Sequence, residues 1–215
     1  MAVTSGIFKP FIEHLNSRKF QTSVMMDVCS GSGIPAQHLF HQSDHFQSLI
    51  LTDKFPIKTD FSDVRIQYLN QAYDILDMPF DKSYCYTMLN AFHHFNEDEQ
   101  NSIIKNCESS GAELYIIEIL EPSFICLIKV FLAGTLGVFC LTPFIGKMTW
   151  QKFILTYIIP LNTLTITIDG LISVFKSKSR KTFHNQIATF SKHTEVFSLN
   201  SLAGPITIIH IKHAH

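Results

Sequence analysis

The chain has 215 residues, a formal net charge of −1 and only 16% charged residues. This length is enough for one domain with a single core. A balanced charge without a long basic run excludes an electrostatic footprint for nucleic acid. We interpret the one basic cluster, residues 176 to 181, as a solvated loop in preference to a phosphate or membrane-surface patch. The apolar share of 46%, with 19 phenylalanines, indicates an apolar partner or substrate.

Five cysteines are scattered along the chain without a CxxC pair, which predicts free thiols in a reducing compartment and a cytoplasmic protein. They are Cys29, Cys85, Cys107, Cys126 and Cys140. No secretory signal is expected, because Lys9 and Glu13 interrupt the apolar residues near the start. No metal site is expected either, since His210, His213 and His215 have no partners at a fixed spacing elsewhere.

The first predicted element is an amphipathic helix over residues 7 to 20. Its apolar residues share one face at helical spacing. They are Phe8, Phe11, Ile12 and Leu15, with Phe20 as a further candidate. A buried strand over residues 24 to 28 then runs directly into a glycine turn.

The turn Ser30-Gly31-Ser32-Gly33 is followed by a helix over residues 34 to 42. Glycines there can take positive φ and let a ligand approach the backbone, and a helix N-terminus offers unpaired N–H groups. The dinucleotide fingerprint is incomplete, because Gln37 holds its third glycine position, and the Gly-Lys-Ser/Thr of a P-loop is absent. Asp27 in the strand would repel a pyrophosphate, so it favours a ligand with a cationic amine.

Three further strands end in polar residues. The run from Ser48 closes on Asp53, the strand over residues 65 to 69 precedes Asp74, and the strand over residues 84 to 88 leads into Asn90-Ala-Phe-His-His-Phe. The carboxyl ends of parallel strands meet at one edge of a sheet, so Asp53 would lie beside the glycine turn, where it could accept both hydroxyls of a ribose.

The rest of the predicted sheet follows the same pattern. A helix over residues 97 to 109 is capped by Asn96 and stopped by Gly111, and a fifth strand covers residues 113 to 120. A helix over residues 181 to 190 precedes two last strands, residues 195 to 199 and 206 to 212, which we expect to form an antiparallel hairpin. We therefore predict an α/β fold with a mostly parallel, seven-stranded sheet and helices on both faces.

Between these parts the sequence becomes strongly apolar. Lys129 is the only charge in residues 124 to 145, and the uncharged run of sixteen residues is too short to predict a transmembrane helix. Gly134 and Gly137 interrupt it, which favours an apolar helix followed by a turn at Pro143. Two more apolar segments follow, residues 150 to 159 and 164 to 175.

The order of the motifs resembles that of the class I S-adenosylmethionine (SAM) dependent methyltransferases over roughly residues 20 to 120. The matching features are D-x-C-S-G-S-G from Asp27, an acid closing the second strand, D-x-x-x-x-P-F from Asp74, and H-H-F after the fourth strand. The sequence departs from the family at Tyr84-Cys85, where many members have Phe-Asp, and at Ser109-Ser-Gly111, which replaces a K-P-G-G turn. Both departures concern the acceptor class more than SAM binding.

The resemblance implies SAM as the cofactor and a Rossmann-like methyltransferase fold. Asp27 and residues 31 to 33 would face the methionine part, Asp53 the ribose hydroxyls, and Asp74 the adenine amino group. The residues expected at this cofactor site are Asp27, Cys29, Ser30, Gly31, Gly33, Asp53, Lys54, Asp74, Ile75 and Asn90. By the same resemblance the N-terminal helix could form a partial lid over the pocket, and plain core packing is the alternative.

Methyl transfer needs a base only when the acceptor must lose a proton. The candidates for catalysis are His93, His94, Asn90 and Glu118. Each has a structural alternative: the histidines could fix their loop, Asn90 could anchor it, and Glu118 could be a paired or capping acid. Asp169 is either a pocket acid or a turn residue before Gly170.

The family commonly carries inserted helices that build the acceptor pocket. Here the insertion would cover residues 122 to 175 within a single domain of 1 to 215, and its composition implies a small apolar or aromatic acceptor. The alternatives are helices that cap the core, a homodimer surface, or a peripheral membrane contact with a lipid or quinone-like acceptor. A SAM-fold protein that only binds its ligand is a third functional class.

Overall fold

The computed structural model describes residues 2 to 57, 61 to 144 and 147 to 212, with side chains from Gly6 onward. The chain divides into two compact units. One consists of Met1–Ile119 and Arg180–His215, and the other of Leu120–Ser179.

The first unit is built on a seven-stranded sheet in the order β3-β2-β1-β4-β5-β7-β6. Its strands are β1 Val24–Val28, β2 Ser48–Thr52, β3 Ile66–Tyr68, β4 Cys85–Leu89, β5 Glu113–Glu118, β6 Thr194–Ser201 and β7 Gly204–Ile211. Strands β1 to β5 are parallel, and β7 pairs antiparallel with both β5 and β6. The predicted mostly parallel sheet with a final antiparallel hairpin is confirmed.

Residues that alternate along the strands bury two apolar layers, one on each face of the sheet. Met25, Cys85 and Tyr115 belong to one layer, while the next residue along each of the three strands belongs to the other. The helices of this unit are α1 Ala2–Asn16, α2 Ile34–His41, α3 Glu97–Ser110 and α8 Arg180–Ala188, with a 3₁₀ turn at Phe92–His94. Both faces of the parallel strands are therefore covered, as such strands require.

The helix ends follow the local chemistry that the sequence suggested. The Asn96 side chain accepts a hydrogen bond from the Glu99 N–H, and the Glu99 carboxylate accepts one from the Asn96 N–H, so α3 begins with a capping box. Gly111 ends α3 in a left-handed conformation. In α1, the four apolar residues from Phe8 to Leu15 are at most 5% exposed and lie in the core. Of the two roles left open for α1, core packing describes these four side chains.

The second unit consists of helices α4 Phe124–Leu132, α5 Val138–Leu141, α6 Trp150–Phe153 and α7 Leu161–Lys176. A π-helical turn at Ala133–Gly137 joins α4 to α5, and Thr142–Phe144 forms a 3₁₀ turn. Phe124–Phe144 is therefore one helix of 21 residues. The prediction of a span too short for a bilayer was wrong, because the π-helical turn absorbs the two glycines and the helix starts upstream of Lys129.

A second correction concerns Asp169. The sequence predicts either a pocket acid or a turn residue before Gly170. In the structure Asp169 and Gly170 both lie inside α7, and Asp169 is exposed. A β-carbon added at Gly170 would lie 2.6 Å from Cγ1 of Val130. Gly170 is therefore a helix-packing residue in this unit and does not mark a turn.

Candidate active site

The candidate site lies where the carboxyl ends of β1, β2 and β4 meet. Strand β1 lies between β2 and β4, with Val28 opposite both Thr52 and Met88. The chain leaves these three strands at Cys29, Asp53 and Asn90. Parallel pairing alone thus brings together groups that are more than 60 residues apart in the sequence, at the edge where α/β sheets bind ligands.

The glycine turn presents open backbone at this edge. Gly31 has φ 52°, and no heavy atom outside its chain neighbours lies within 4 Å of the position that a β-carbon would occupy. At Gly33, with φ 69°, a β-carbon would lie 2.5 Å from Cδ1 of Leu51, so this glycine is needed for packing. The Gly31 N–H donates to Oδ2 of Asp53 at 2.8 Å, and the hydroxyl of Tyr68 donates to the Gly31 carbonyl at 2.9 Å. The turn is therefore held by hydrogen bonds to Asp53 and Tyr68, and the space next to Gly31 is open.

Asp27 supports the turn from below. Its side chain is 2% exposed, and the hydroxyl of Thr87 donates to Oδ1 at 2.7 Å. The Asp27 carbonyl accepts hydrogen bonds from the hydroxyls of Ser30 at 2.8 Å and Thr52 at 3.1 Å. Burial raises the pKa of the Asp27 carboxyl from 3.8 to about 7, since desolvation disfavours the carboxylate more than the Thr87 hydroxyl stabilises it.

This shift gives a pH prediction with a definite sign. The carboxyl of Asp27 ionises near pH 4 in the unfolded chain and near pH 7 in the folded one, so between these values the folded state binds more protons. The free energy of unfolding should therefore fall as the pH rises from about 4 to about 7, by up to about 4 kcal/mol. Urea unfolding of wild type and Asp27→Asn at several pH values measures this. A wild-type slope equal to that of Asp27→Asn would contradict the assignment.

Asp53 is hydrogen-bonded to the turn, whereas Asp74 is paired with Lys54, the residue after Asp53. Both Asp53 oxygens accept one backbone hydrogen bond each, Oδ2 from Gly31 and Oδ1 from Phe55 at 2.8 Å. Asp74 is paired with the ammonium of Lys54 at 2.6 Å, and these interactions lower the pKa of its carboxyl. Ile75, next to Asp74, is buried and belongs to the core.

The thiol of Cys29, at the start of the turn, is affected by all three of these acids. Burial, followed by the charges of Asp53, Asp27 and Asp74, raises the pKa of its thiol to about 12. The three carboxylates predicted at the cofactor site therefore all act on one side chain at the start of the turn. A thiol with such a pKa remains protonated near neutrality, which disfavours a role for Cys29 as a nucleophile.

Three of the four candidates for catalysis lie in the loop after β4, and the fourth, Glu118, contacts this loop from β5. Glu118, at the end of β5, accepts a hydrogen bond from the Phe92 N–H at 2.8 Å, and its Oε2 lies 2.7 Å from Nδ1 of His93. The side chains of both Glu118 and His93 are 1% exposed. His94 is exposed, with its ring centroid 4.3 Å from that of His93. Oδ1 of Asn90 accepts from the Ile119 N–H at 3.2 Å, which anchors the loop to the strand beside it.

Backbone strain coincides with this site. In the part of the chain that the structure describes, Cys29 and Asn90 are the non-glycine residues with positive φ, at 56° and 53°. They follow the neighbouring strands β1 and β4. Left-handed conformations of such residues cost about 1 kcal/mol or more and cluster at functional sites.

Sequence reasoning missed the residues that hold the acids in place. Thr87, Thr52 and Tyr68 contact Asp27 and the glycine turn, yet each reads as an ordinary strand residue. For Thr87, the contact with Asp27 follows from the strand register, because the two residues are partners in the pairing of β1 with β4. Among the described residues no group of three metal-ligating side chains occurs. Nε2 of His210 instead pairs with Glu113 at 2.8 Å, and residues 213 and 215 lie outside the described part.

Neither a protein-family model nor a curated protein matches the sequence, so the comparison rests on solved structures. The mitomycin 7-O-methyltransferase MmcR has a TM-score of 0.54 at 14% identity, over 97% of this chain and 54% of its own. An O-methyltransferase family 2 protein from Planctomyces limnophilus, in complex with apigenin, has 0.55 at 13% over 98% and 58%. Human N-acetylserotonin methyltransferase in complex with SAM has 0.54 at 12% over 99% and 54%.

The chain thus spans just over half the length of each of these three proteins. The structural similarity covers nearly the whole of this chain. The chain therefore has the Rossmann-like fold of the SAM-dependent methyltransferases.

Proposed function

We propose that the protein is a SAM-dependent methyltransferase that acts on a small apolar acceptor. One observation carries the proposal: an open glycine turn and an acid at the end of the next strand are joined by a hydrogen bond at the carboxyl edge of a sheet with this fold. That edge is where α/β sheets bind nucleosides.

The residues present fit SAM. The space above Gly31 is one that a β-carbon would fill, so backbone can contact a ligand there. A carboxylate has about four acceptor directions, and Asp53 uses two, which leaves capacity for a ribose diol. Asp27 would act through the turn that it supports, since it is almost fully enclosed. Asp74 would offer an acceptor to the adenine amino group while Lys54 remains beside it.

SAM, when bound, would supply a methyl group on a sulfonium, and the acceptor would take this methyl group as S-adenosylhomocysteine leaves. The protein then has to align the acceptor and exclude water. We assign His93, in the loop after β4, and Glu118, at the end of β5, the task of positioning, because both are enclosed and hydrogen-bonded to each other. His94 is exposed at the same loop, so it is the histidine that we propose as proton acceptor.

The composition and the names of the similar structures support one class of acceptor. The proteins above are named as a mitomycin 7-O-methyltransferase, an O-methyltransferase bound to apigenin and an N-acetylserotonin methyltransferase. A small organic acceptor methylated at oxygen is therefore the proposal that we favour. A protein that binds SAM without turnover is the alternative, and incubation with radiolabelled SAM and acceptor pools separates the two.

Gly31→Ala tests the cofactor site directly. The added methyl group meets no protein atom, so we expect it to cost only about 1 kcal/mol of stability, from the strained φ. In contrast, SAM affinity measured by calorimetry should fall by at least about 10-fold, or about 1.4 kcal/mol, because the methyl group occupies the ligand's approach. The control is Gly111→Ala, which has φ 72° at the end of α3. Equal affinities in the two variants would contradict a ligand at this turn.

A further inference from the structure

The second unit has the inverse of the usual distribution of polarity. Twenty of the twenty-five large apolar side chains exposed in the described part of the chain lie within Leu120–Ser179. Among the described residues of the same unit the buried side chains are mostly hydroxylic, with Val174 as the buried hydrophobic residue: Thr142, Thr156, Thr163, Thr167, Ser173 and Ser177. A unit that turns apolar side chains outward and hydroxyls inward is suited to an apolar surrounding.

We propose that Leu120–Ser179 is a helical hairpin inserted into a lipid bilayer. The inference does not depend on the methyltransferase activity. Its first helix, Phe124–Phe144, has 21 residues and therefore a length of about 31 Å, which matches the hydrocarbon core of about 30 Å. In a soluble protein such a helix would be mostly buried, but only 6% of its most apolar 18-residue stretch is buried.

The return limb is a broken helix. Trp150–Ile158 and Leu161–Lys176 are together long and apolar enough for one membrane span, and they bend by 65° at the break that contains Pro160. Broken helices occur at membrane depth where neighbouring protein covers the freed backbone. The Ile159 N–H donates to the Ile154 carbonyl at 2.8 Å, and the Leu164 N–H donates to the Pro160 carbonyl at 2.9 Å, so groups next to the break are paired.

Small residues bring the two limbs close together, as in membrane helix pairs. A β-carbon on Gly134 would lie 2.6 Å from Oγ1 and 2.9 Å from Cα of Thr167. The Thr167 hydroxyl donates to the Thr163 carbonyl at 2.7 Å, and the Tyr157 hydroxyl donates to the Phe139 carbonyl at 2.7 Å. These two hydroxyls thus find acceptors within the unit, whereas the buried hydroxyl of Thr163 has no hydrogen-bond partner in the described part of the chain.

Most of the few charges of this unit lie near the ends of its two limbs. Lys147 and Lys152 lie at the connecting end, and the basic cluster of residues 176 to 181 lies at the other, where cations can reach lipid headgroups. Lys129 is in the second turn of α4, from which a lysine can extend toward the interface. The contact between Val130 and Gly170 puts Lys129 and Asp169, which precede them, at the same level of the two helices. Under this proposal the basic cluster, which the sequence predicts to be a solvated loop, would contact lipid headgroups.

A bilayer explains the apolar surface better than a second copy does. The exposed apolar positions of the long helix include Phe124, Ile125, Phe131, Leu136 and Leu141. The return limb adds twelve further exposed apolar side chains between Met148 and Phe175. A partner chain would cover one side of the hairpin, whereas acyl chains would cover the exposed apolar side chains of both limbs.

Vesicle flotation of the full chain tests the inference, with phosphatidylcholine vesicles that contain a minor fraction of phosphatidylglycerol. We expect wild type to float and to resist both high salt and alkaline carbonate. Trp150 is the only tryptophan and is 71% exposed, so its emission should shift to shorter wavelength with vesicles and be quenched by brominated lipids. Release by salt would overturn insertion, and so would a discrete lipid-free dimer that does not float.

Two double variants test whether the hairpin is responsible for the flotation. Leu132→Asp with Leu136→Asp puts two charges one turn apart near the middle of the long helix, and flotation should be lost. The control is Val64→Asp with Leu202→Asp, at residues 98% and 91% exposed in the other unit, which should float like wild type. SAM binding by both double variants reports whether that unit is folded. Equal flotation of the two would contradict the proposal, and SAM binding without flotation in wild type would leave the proposed function standing alone.

Discussion

Asp53→Ala should lower the affinity for SAM by about 100-fold or more. Hydrogen bonds to a charged group contribute about 1.5 to 3 kcal/mol each, and a ribose offers two hydroxyls to this carboxylate. The variant also removes the acceptor for the Gly31 N–H, which loosens the turn. Calorimetric titration with SAM and with S-adenosylhomocysteine measures the loss.

The control for this variant is Asp81→Ala. Asp81, like Asp53, uses Oδ1 to accept a hydrogen bond from the N–H two residues later, at 2.8 Å in both cases. The two changes therefore remove the same local turn bond, but only Asp53 lies at the glycine turn. We expect Asp81→Ala to bind SAM like wild type, and an equal loss in both would attribute the effect to general destabilisation.

A ligand change separates the ribose contact from collapse of the turn. Wild type should bind S-adenosylhomocysteine more tightly than its 2′-deoxy form, because the deoxy ligand lacks one of the two hydroxyls. Asp53→Ala should bind the two ligands with nearly equal affinity. A variant that still discriminates between them would show that another group holds the ribose.

The position of the acids could be predicted from the sequence because it follows from topology. Each of Asp27, Asp53 and Asp74 lies in or shortly after a strand, and parallel strands place such residues at one edge whatever the details of packing. The state of each acid could not be predicted. Pairing of Asp74 with Lys54 and enclosure of Asp27 under Thr87 depend on side-chain contacts that spacing does not fix.

The continuity of the helices in the apolar unit could not be predicted from the sequence, for a different physical reason. Glycine usually ends a helix in water, so Gly134, Gly137 and Gly170 indicated breaks and turns. Between closely packed helices, a glycine instead lets another backbone approach, as Gly134 does toward Thr167. The same residue type therefore has opposite meanings in the two units, and only the surrounding polarity distinguishes them.

Glu118→Ala should be the most destabilising change at the site. It removes the acceptor of the Phe92 N–H and the partner of His93 where both Glu118 and His93 are 1% exposed. Breaking a buried pair by removing one member costs about 3 to 5 kcal/mol, a large part of a typical stability of about 5 to 15 kcal/mol. Urea unfolding followed by circular dichroism measures it. A loss below about 1 kcal/mol would contradict the enclosed pair.

Glu118→Gln separates positioning from stability. Its amide oxygen can still accept from Phe92, while the neutral side chain holds His93 less firmly. The control is Glu113→Gln, because Glu113 pairs with Nε2 of His210 at 2.8 Å from the start of the same strand, at the opposite edge of the sheet. Both variants should lose stability, but only Glu118→Gln changes the loop that carries Asn90, His93 and His94. We therefore expect methyl transfer to fall by about 10-fold or more in Glu118→Gln alone, with SAM affinity little changed. Equal turnover in the two would show that the Glu118 pair only stabilises the fold.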